Sequence, residues 1–304
     1  MNIHYRLERR GGRPLVLAIG FFDGLHLGHA AIVDELRRLR KPGYRTGLLT
    51  FSNHPATHLR TVPPPLICTV EERLDLLANA GVEECFFVPF DERIASLSPA
   101  DFIEGVLIGA LSVQGVVVGE NFRFGKARAG DVGFARTELE KRNVPFRAVA
   151  NRMANGVRIS STRIRELIAQ GEVAEADALL GHAFTLRGRV MLGAGRGRSL
   201  GFPTANLTVR PGKILPADGV YSAVARHDGR DYAALVSIGT NPTFDGTTHS
   251  LEAWLRDFQR SIYGEELALR ELRFVRPQQR FASADDLRTQ MERDVEAVAY
   301  PSYG

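Results

Sequence analysis

Leu15–Ile19 is an unbroken apolar run that stops at Gly20, which predicts a β-strand buried on both faces. Beyond it the period changes: Ile32, Val33, Leu36 and Leu39 fall on one face of a helix over Leu27–Leu39. The alternation then repeats. Tyr44–Phe51 predicts a second strand, and the Pro-rich stretch Val62–Leu66 a loop. Thr69 with Glu72 three residues on marks a helix start leading into Glu71–Ala80, and Gly81 ends it. Cys85–Pro89, Gly115–Gly119 and Phe146–Ala150 predict further strands. Pro99–Leu107, Phe134–Arg142 and Ser161–Ala169 predict helices, and Gly171–Gly181 a short helical connector.

Strands alternating with helices at this spacing predict a doubly wound parallel sheet of the α/β class. After about His182 the rhythm is different. Phe184–Met191, Tyr221–Arg226, Tyr232–Ile238, Ser250–Asp257 and Leu267–Val275 are strand-like, with Gly, Pro, Asn and Asp turns between them. Ser283–Ala297 closes the chain as an amphipathic helix. This second pattern predicts an antiparallel β-barrel with a terminal helix. Two domains are expected, 1–182 and 183–304, in keeping with a length of 304 residues.

Composition adds exclusions rather than a function. The 44% hydrophobic and 24% charged content is that of a globular protein able to bury a core. No run of 18 apolar residues is present and the N-terminus lacks a secretory apolar segment, so neither a membrane nor export is expected. Cys68 and Cys85 are the only cysteines and have no metal or disulfide spacing, which fits a cytoplasmic protein. The net charge of +4 is spread over both halves, each nearly neutral, which argues against a nucleic-acid-binding tail. Small anions suit the arginines better, because guanidinium forks bind phosphate bidentately. An oligomer is possible but not indicated.

Chemistry concentrates in a few stretches. Gly20–His29, GFFDGLHLGH, lies where the first strand meets the first helix. A helix N-terminus there offers free backbone N–H groups, and His26 and His29, at i and i+3, can aim at one phosphate. Taken alone, the same residues also read as a turn with two incidental histidines, and Asp23 as a turn cap. Thr50–Pro55 (TFSNHP), Val118–Asp131 (VGENFRFGKARAGD) and Arg158–Arg165 (RISSTRIR) likewise sit at strand ends or a helix start. A P-loop is excluded, because Gly119 and Gly125 have the wrong spacing and Ala127 follows Lys126. In the second half Gly197–Asn206, GRSLGFPTAN, supplies glycines for close approach to phosphates, and Thr204 and Asn206 as two oxygen ligands for a hard cation. Read alone, PTAN is also a plain turn.

In this order and number, the stretches resemble the prokaryotic bifunctional riboflavin kinase/FMN adenylyltransferase (FAD synthetase) family, over nearly the whole chain. The resemblance implies an N-terminal nucleotidyltransferase-like domain that joins FMN and ATP into FAD and pyrophosphate. It implies a C-terminal barrel that phosphorylates riboflavin with ATP, with Mg²⁺ as cofactor in both. By resemblance His26 and His29 act on the phosphates in the first reaction. Gly20, Phe21, Asp23, Gly24, Asn121, Arg158, Ser161, Thr162 and Arg165 then serve ATP, and Asn53, His54 and Pro55 the flavin side. For the kinase, Glu252 is the implied base. Gly197, Gly201, Pro203, Thr204 and Asn206 are implied to bind ATP, with Thr204 and Asn206 also serving the metal. The chain departs from the family's usual pattern at Asn53, where proline commonly precedes the histidine, and at Trp254, which also reads as barrel core. A chain keeping only one activity, a flavin carrier, and another H-x-G-H nucleotidyltransferase are the competing readings. The barrel with PTAN disfavours the last of these.

Overall fold

The computed structural model describes residues 1–8, 12–58, 62–193, 201–243 and 246–297. Gly197, which opens the GRSLGFPTAN stretch, lies outside the described residues. The chain forms two compact units, Met1–Ser161 and Thr162–Gly304.

The first unit is built on a six-stranded sheet of β1 (Asn2–His4), β2 (Leu15–Ile19), β3 (Arg45–Phe51), β4 (Glu84–Val88), β5 (Val113–Gly119) and β6 (Phe146–Val149). Their order is β1-β4-β3-β2-β5-β6, and every pairing is parallel. β2 shows why its sequence is uniformly apolar. Leu15, Leu17 and Ile19 enter one core, and Val16 and Ala18 enter the core on the opposite face. The second face is covered in part by α1 (Leu27–Leu39), which buries Ile32, Val33 and Leu36, each contributing about 2 kcal/mol of burial.

α2 (Val70–Asn79) starts with the capping box read from Thr69 and Glu72. α3 (Glu92–Ala95) and α4 (Pro99–Asp101) follow, and α4 runs on into a π-helical segment, Phe102–Ala110, where one α-helix over Pro99–Leu107 is expected. There Leu111 N–H reaches back to the carbonyl of Val106, five residues earlier, at 2.9 Å. α5 (Val132–Glu140) and a small hairpin, β7 (Met153–Ala154) and β8 (Val157–Arg158), complete the unit.

The chain winds from β2 outward through β3 to β4, then returns to place β5 on the other flank of β2. The carboxyl ends of β2 and β5 therefore border the switch point at which doubly wound sheets bind ligands. Gly20–His29 and Val118–Asp131 both leave the sheet at this crevice.

α6 (Ser161–Ala169) leads into the second unit, where α7 (Val173–Leu180) packs on β14 (Glu266–Arg276). The barrel is closed and antiparallel, in the order β10-β13-β12-β11-β14-β9. Its other strands are β9 (Thr185–Met191), β10 (Thr204–Val209), β11 (Gly219–His227), β12 (Arg230–Thr243) and β13 (Gly246–Leu255), and α8 (Ala284–Ala297) follows β14. Five of these strands match the strand-like stretches of the sequence. The sixth, β10, is the PTAN segment, which is therefore a barrel strand and not a turn.

Candidate active sites

The crevice in the first unit is shaped by a strained loop. Phe22 and Leu25 have φ of +55° and +37°, and Gly24 has +79°. Asp23 holds this loop from below. It is 1% exposed, and its carboxylate accepts from the backbone N–H groups of Ile67 at 3.0 Å and Cys68 at 3.1 Å. Gly24 N–H donates to Cys68 Sγ at 3.1 Å. A Cβ on Gly20 would crowd the Phe22 ring, at 3.0 Å.

His26 caps α1, its Nδ1 accepting from His29 N–H at 3.2 Å. The two imidazoles stack with centroids 3.7 Å apart and planes 15° apart. A Cβ on Gly28 would crowd the His26 ring, at 3.0 Å. Burial, and then the charge of His26, hold the His29 pKa well below the ordinary histidine range, so the ring is neutral at pH 7. His29 Nδ1 is buried and has no hydrogen-bond partner among the described residues.

The other motifs in this unit converge only in part. Ser161 Oγ donates to the carbonyl of Asp23 at 3.2 Å, joining the last motif to the first. Arg158 is exposed on β8; Thr162, exposed, and Arg165, half-buried, lie further along α6 among the residues of the second unit. Asn121 is exposed and donates to Asn151 at 2.9 Å, and Asn151 in turn bonds to Glu120. His54 packs against the edge of Phe21, with centroids 4.5 Å apart. Asn53, in the place of the usual proline, accepts from Phe90 N–H at 2.7 Å and donates to the Phe90 carbonyl at 3.0 Å. Pro55 opens a turn of 3₁₀ helix.

In the barrel, β10 and β13 pair so that Asn206 lies opposite Glu252 and Thr204 opposite Trp254. Directly opposed residues project to the same face, so these four side chains share one. The alternate residues Leu251, Ala253 and Leu255 are the buried ones. Thr204 Oγ1 donates to Glu252 Oε2 at 3.3 Å. Two cavities meet at this point. One, of about 350 Å³, is lined by Pro203, Asn206 and Phe258 among others; the second, of about 660 Å³, by Glu252, Trp254 and Asp294. Among the described residues Thr204 alone lines both.

Trp254 is thus half-buried on a cavity wall, edge-on to Phe202 at 5.7 Å, and is not plain barrel core. Gly193 lies against the Asn206 side chain, leaving no room for a Cβ. Gly201, with φ of +83°, turns the chain into β10. Among the described residues no group of three or more His, Cys, Asp or Glu is placed to cage a metal ion. Thr204 and Asn206 instead offer neutral hard oxygens. These fit Mg²⁺, which keeps waters and substrate phosphates in its shell.

A crevice at the switch point of a parallel sheet and an oxygen-lined barrel wall between two cavities suit a two-site, nucleotide-dependent transferase. A family model described as FAD synthetase matches residues 9–163, and one described as riboflavin kinase matches residues 180–300. The chain belongs to the family of bifunctional riboflavin kinase/FMN adenylyltransferases. It is 36% identical to the member from Listeria monocytogenes, covering 92% of this chain and 90% of that one. It is also 36% identical to the member from Escherichia coli K12, covering 95% and 93%. A crystal structure titled as a macrolide-efflux protein from Streptococcus pneumoniae superposes with a TM-score of 0.87 at 32% identity, covering 94% of each chain. Among the described residues no helix of the present chain is long and apolar enough to cross a membrane.

Proposed function

We propose that the two activities are divided between the two sites, FMN adenylylation over residues 1–182 and riboflavin phosphorylation over 183–304. The chain is a riboflavin kinase and an FMN adenylyltransferase, with riboflavin, FMN and ATP as substrates. The observation that carries the residue assignment is Thr204, common to both barrel cavities and 3.3 Å from Glu252.

In the kinase reaction ATP takes the Asn206 side and riboflavin the Glu252 side. The riboflavin 5′-hydroxyl oxygen forms a bond to the γ-phosphorus while the bridging bond to ADP breaks. Glu252 takes the hydroxyl proton. Thr204 and Asn206 would hold Mg²⁺, which when bound neutralises phosphate charge. In adenylylation an oxygen of the FMN phosphate attacks the α-phosphorus of ATP and pyrophosphate leaves. His26 and His29 donate to the phosphate oxygens as charge moves onto them. Gly20, Gly24, Asn121, Arg158, Ser161, Thr162 and Arg165 serve ATP, and Asn53, His54 and Pro55 the flavin side; Phe21, expected on the ATP side, packs against His54 and is read here with the flavin side. Asp23 works by holding the loop.

Mg²⁺ is the cofactor on this reading. The enzyme works in the cytoplasm on small molecules, with both cysteines buried and in no disulfide, and needs neither nucleic acid nor a membrane. An oligomer is compatible with it and not required.

Incubation with riboflavin, ATP and Mg²⁺, followed by separation of the flavins, tests the division. The wild type makes FAD. Glu252→Gln makes no FMN from riboflavin but still converts supplied FMN to FAD, and His29→Ala accumulates FMN. Loss of both activities in either folded variant refutes separate sites.

A further inference from the structure

Arg73 is the largest fully buried side chain of the first unit, at 2% exposure, and none of the reactions above uses it. Its position on α2 gives no helical reason for a cation, and burying a guanidinium is unfavourable; Nε is buried with no hydrogen-bond partner among the described residues, so the cost is offset at Nη1 and Nη2. Nη1 donates to the carbonyl of Phe21 at 3.0 Å, and Nη2 to the carbonyl of Phe51 at 2.8 Å. These carbonyls belong to the loop after β2 and to the last residue of β3, so one planar fork ties together the chain ends at two adjacent strands. Thr50 Oγ1 donates to the same Phe21 carbonyl at 2.9 Å. The guanidinium also lies over the Phe21 ring at 4.5 Å and over Phe87 at 5.1 Å. Phe21 in turn contacts His54 at 4.5 Å. Burial lowers the Arg73 pKa, while Cys68, Asp23 and Cys85 raise it, and an arginine under these conditions stays charged.

The connection is one-sided. Arg73 touches Phe21 and, through it, His54. It makes no hydrogen bond to His26 or His29, which are set by the start of α1.

We infer that Arg73 is a positioning residue for adenylylation, fixing Phe21 and the end of β3 so that the flavin side of the crevice is ready for FMN. The inference rests on reading this crevice as the adenylylation site. A lysine cannot replace the fork, because an ammonium does not bridge two carbonyls in one plane.

The test is steady-state kinetics of both reactions on the full-length chain, with thermal unfolding measured alongside. In Arg73→Met the KM for FMN rises by about tenfold or more while the KM for ATP in the same reaction stays within about twofold. Riboflavin phosphorylation in the same molecule does not change. Arg73→Lys restores part of the FMN affinity. Should Arg73→Met fail to fold, Arg73→Lys decides alone, with a raised KM for FMN and an unchanged one for ATP. Unchanged FMN kinetics in a folded variant overturns the inference. So does an equal rise in both KM values, which is what a purely structural role produces. Failure of the underlying site reading looks different: His29→Ala would then leave FAD formation intact whatever Arg73 does.

Discussion

His26, Gly28 and His29 explain one another. The spacing places the imidazoles in a stack 3.7 Å apart, and the residue between them has to be small because the His26 ring folds over it. Gly28→Ala therefore separates helix propensity from geometry. Alanine favours an α-helix by about 1 kcal/mol, so the variant keeps its melting temperature. The displaced ring lowers the kcat for FAD formation by about tenfold or more, read as FAD formed from supplied FMN. Residues of this kind are legible in a sequence because their backbone or packing admits only one type. Arg73 is not, since an arginine in a helical stretch ordinarily lies on a solvated face. Asp23 is half legible: its place in the loop can be read, but not the amides of Ile67 and Cys68 that take its carboxylate, 44 and 45 residues away.

Among the elements, α2 shows what a local signal can achieve. Thr69 and Glu72 form a complete capping box, with Glu72 N–H bonded to Thr69 Oγ1 at 3.2 Å and Thr69 N–H bonded to Glu72 Oε2 at 2.8 Å. This helix carries Arg73, so its start fixes where the fork reaches. Thr69→Ala should destabilise the first unit by about 1 kcal/mol, and lower its melting temperature by about 3 °C. Calorimetry would show it, and no shift would mean that packing alone sets the helix start. β1 and β10 escaped the periodicity for opposite reasons. β1 is three residues long and among the described residues pairs only with β4, its partners 82 residues on, so nothing local marks it. β10 is polar and begins at the Thr-Ala-Asn of a turn-like segment, because one of its faces lines cavities.

Two compact units in one chain lend themselves to separate observation. Trp254, the only tryptophan, belongs to the barrel unit and reports on it alone. In the first unit burial pushes the Glu84 carboxyl up, but hydrogen bonds from His4 at 2.6 Å and Arg45 at 3.0 Å outweigh it, and its pKa lies below the usual range. A carboxylate with a depressed folded pKa stabilises above its unfolded pKa, about 4.3, and that contribution fades as the pH falls through the folded value. Glu84→Gln should therefore lower stability at pH 7 and flatten its loss on acidification, as followed by far-UV circular dichroism. The acid transition seen through Trp254 fluorescence should not move, and a matching shift there would mean that the units unfold as one.

Thr204 has a consequence for the order of events. Among the described residues the two barrel cavities have only this one in common, so on the proposed assignment nucleotide and flavin enter by separate routes. ADP is then expected to compete with ATP but not with riboflavin, which product-inhibition kinetics would check.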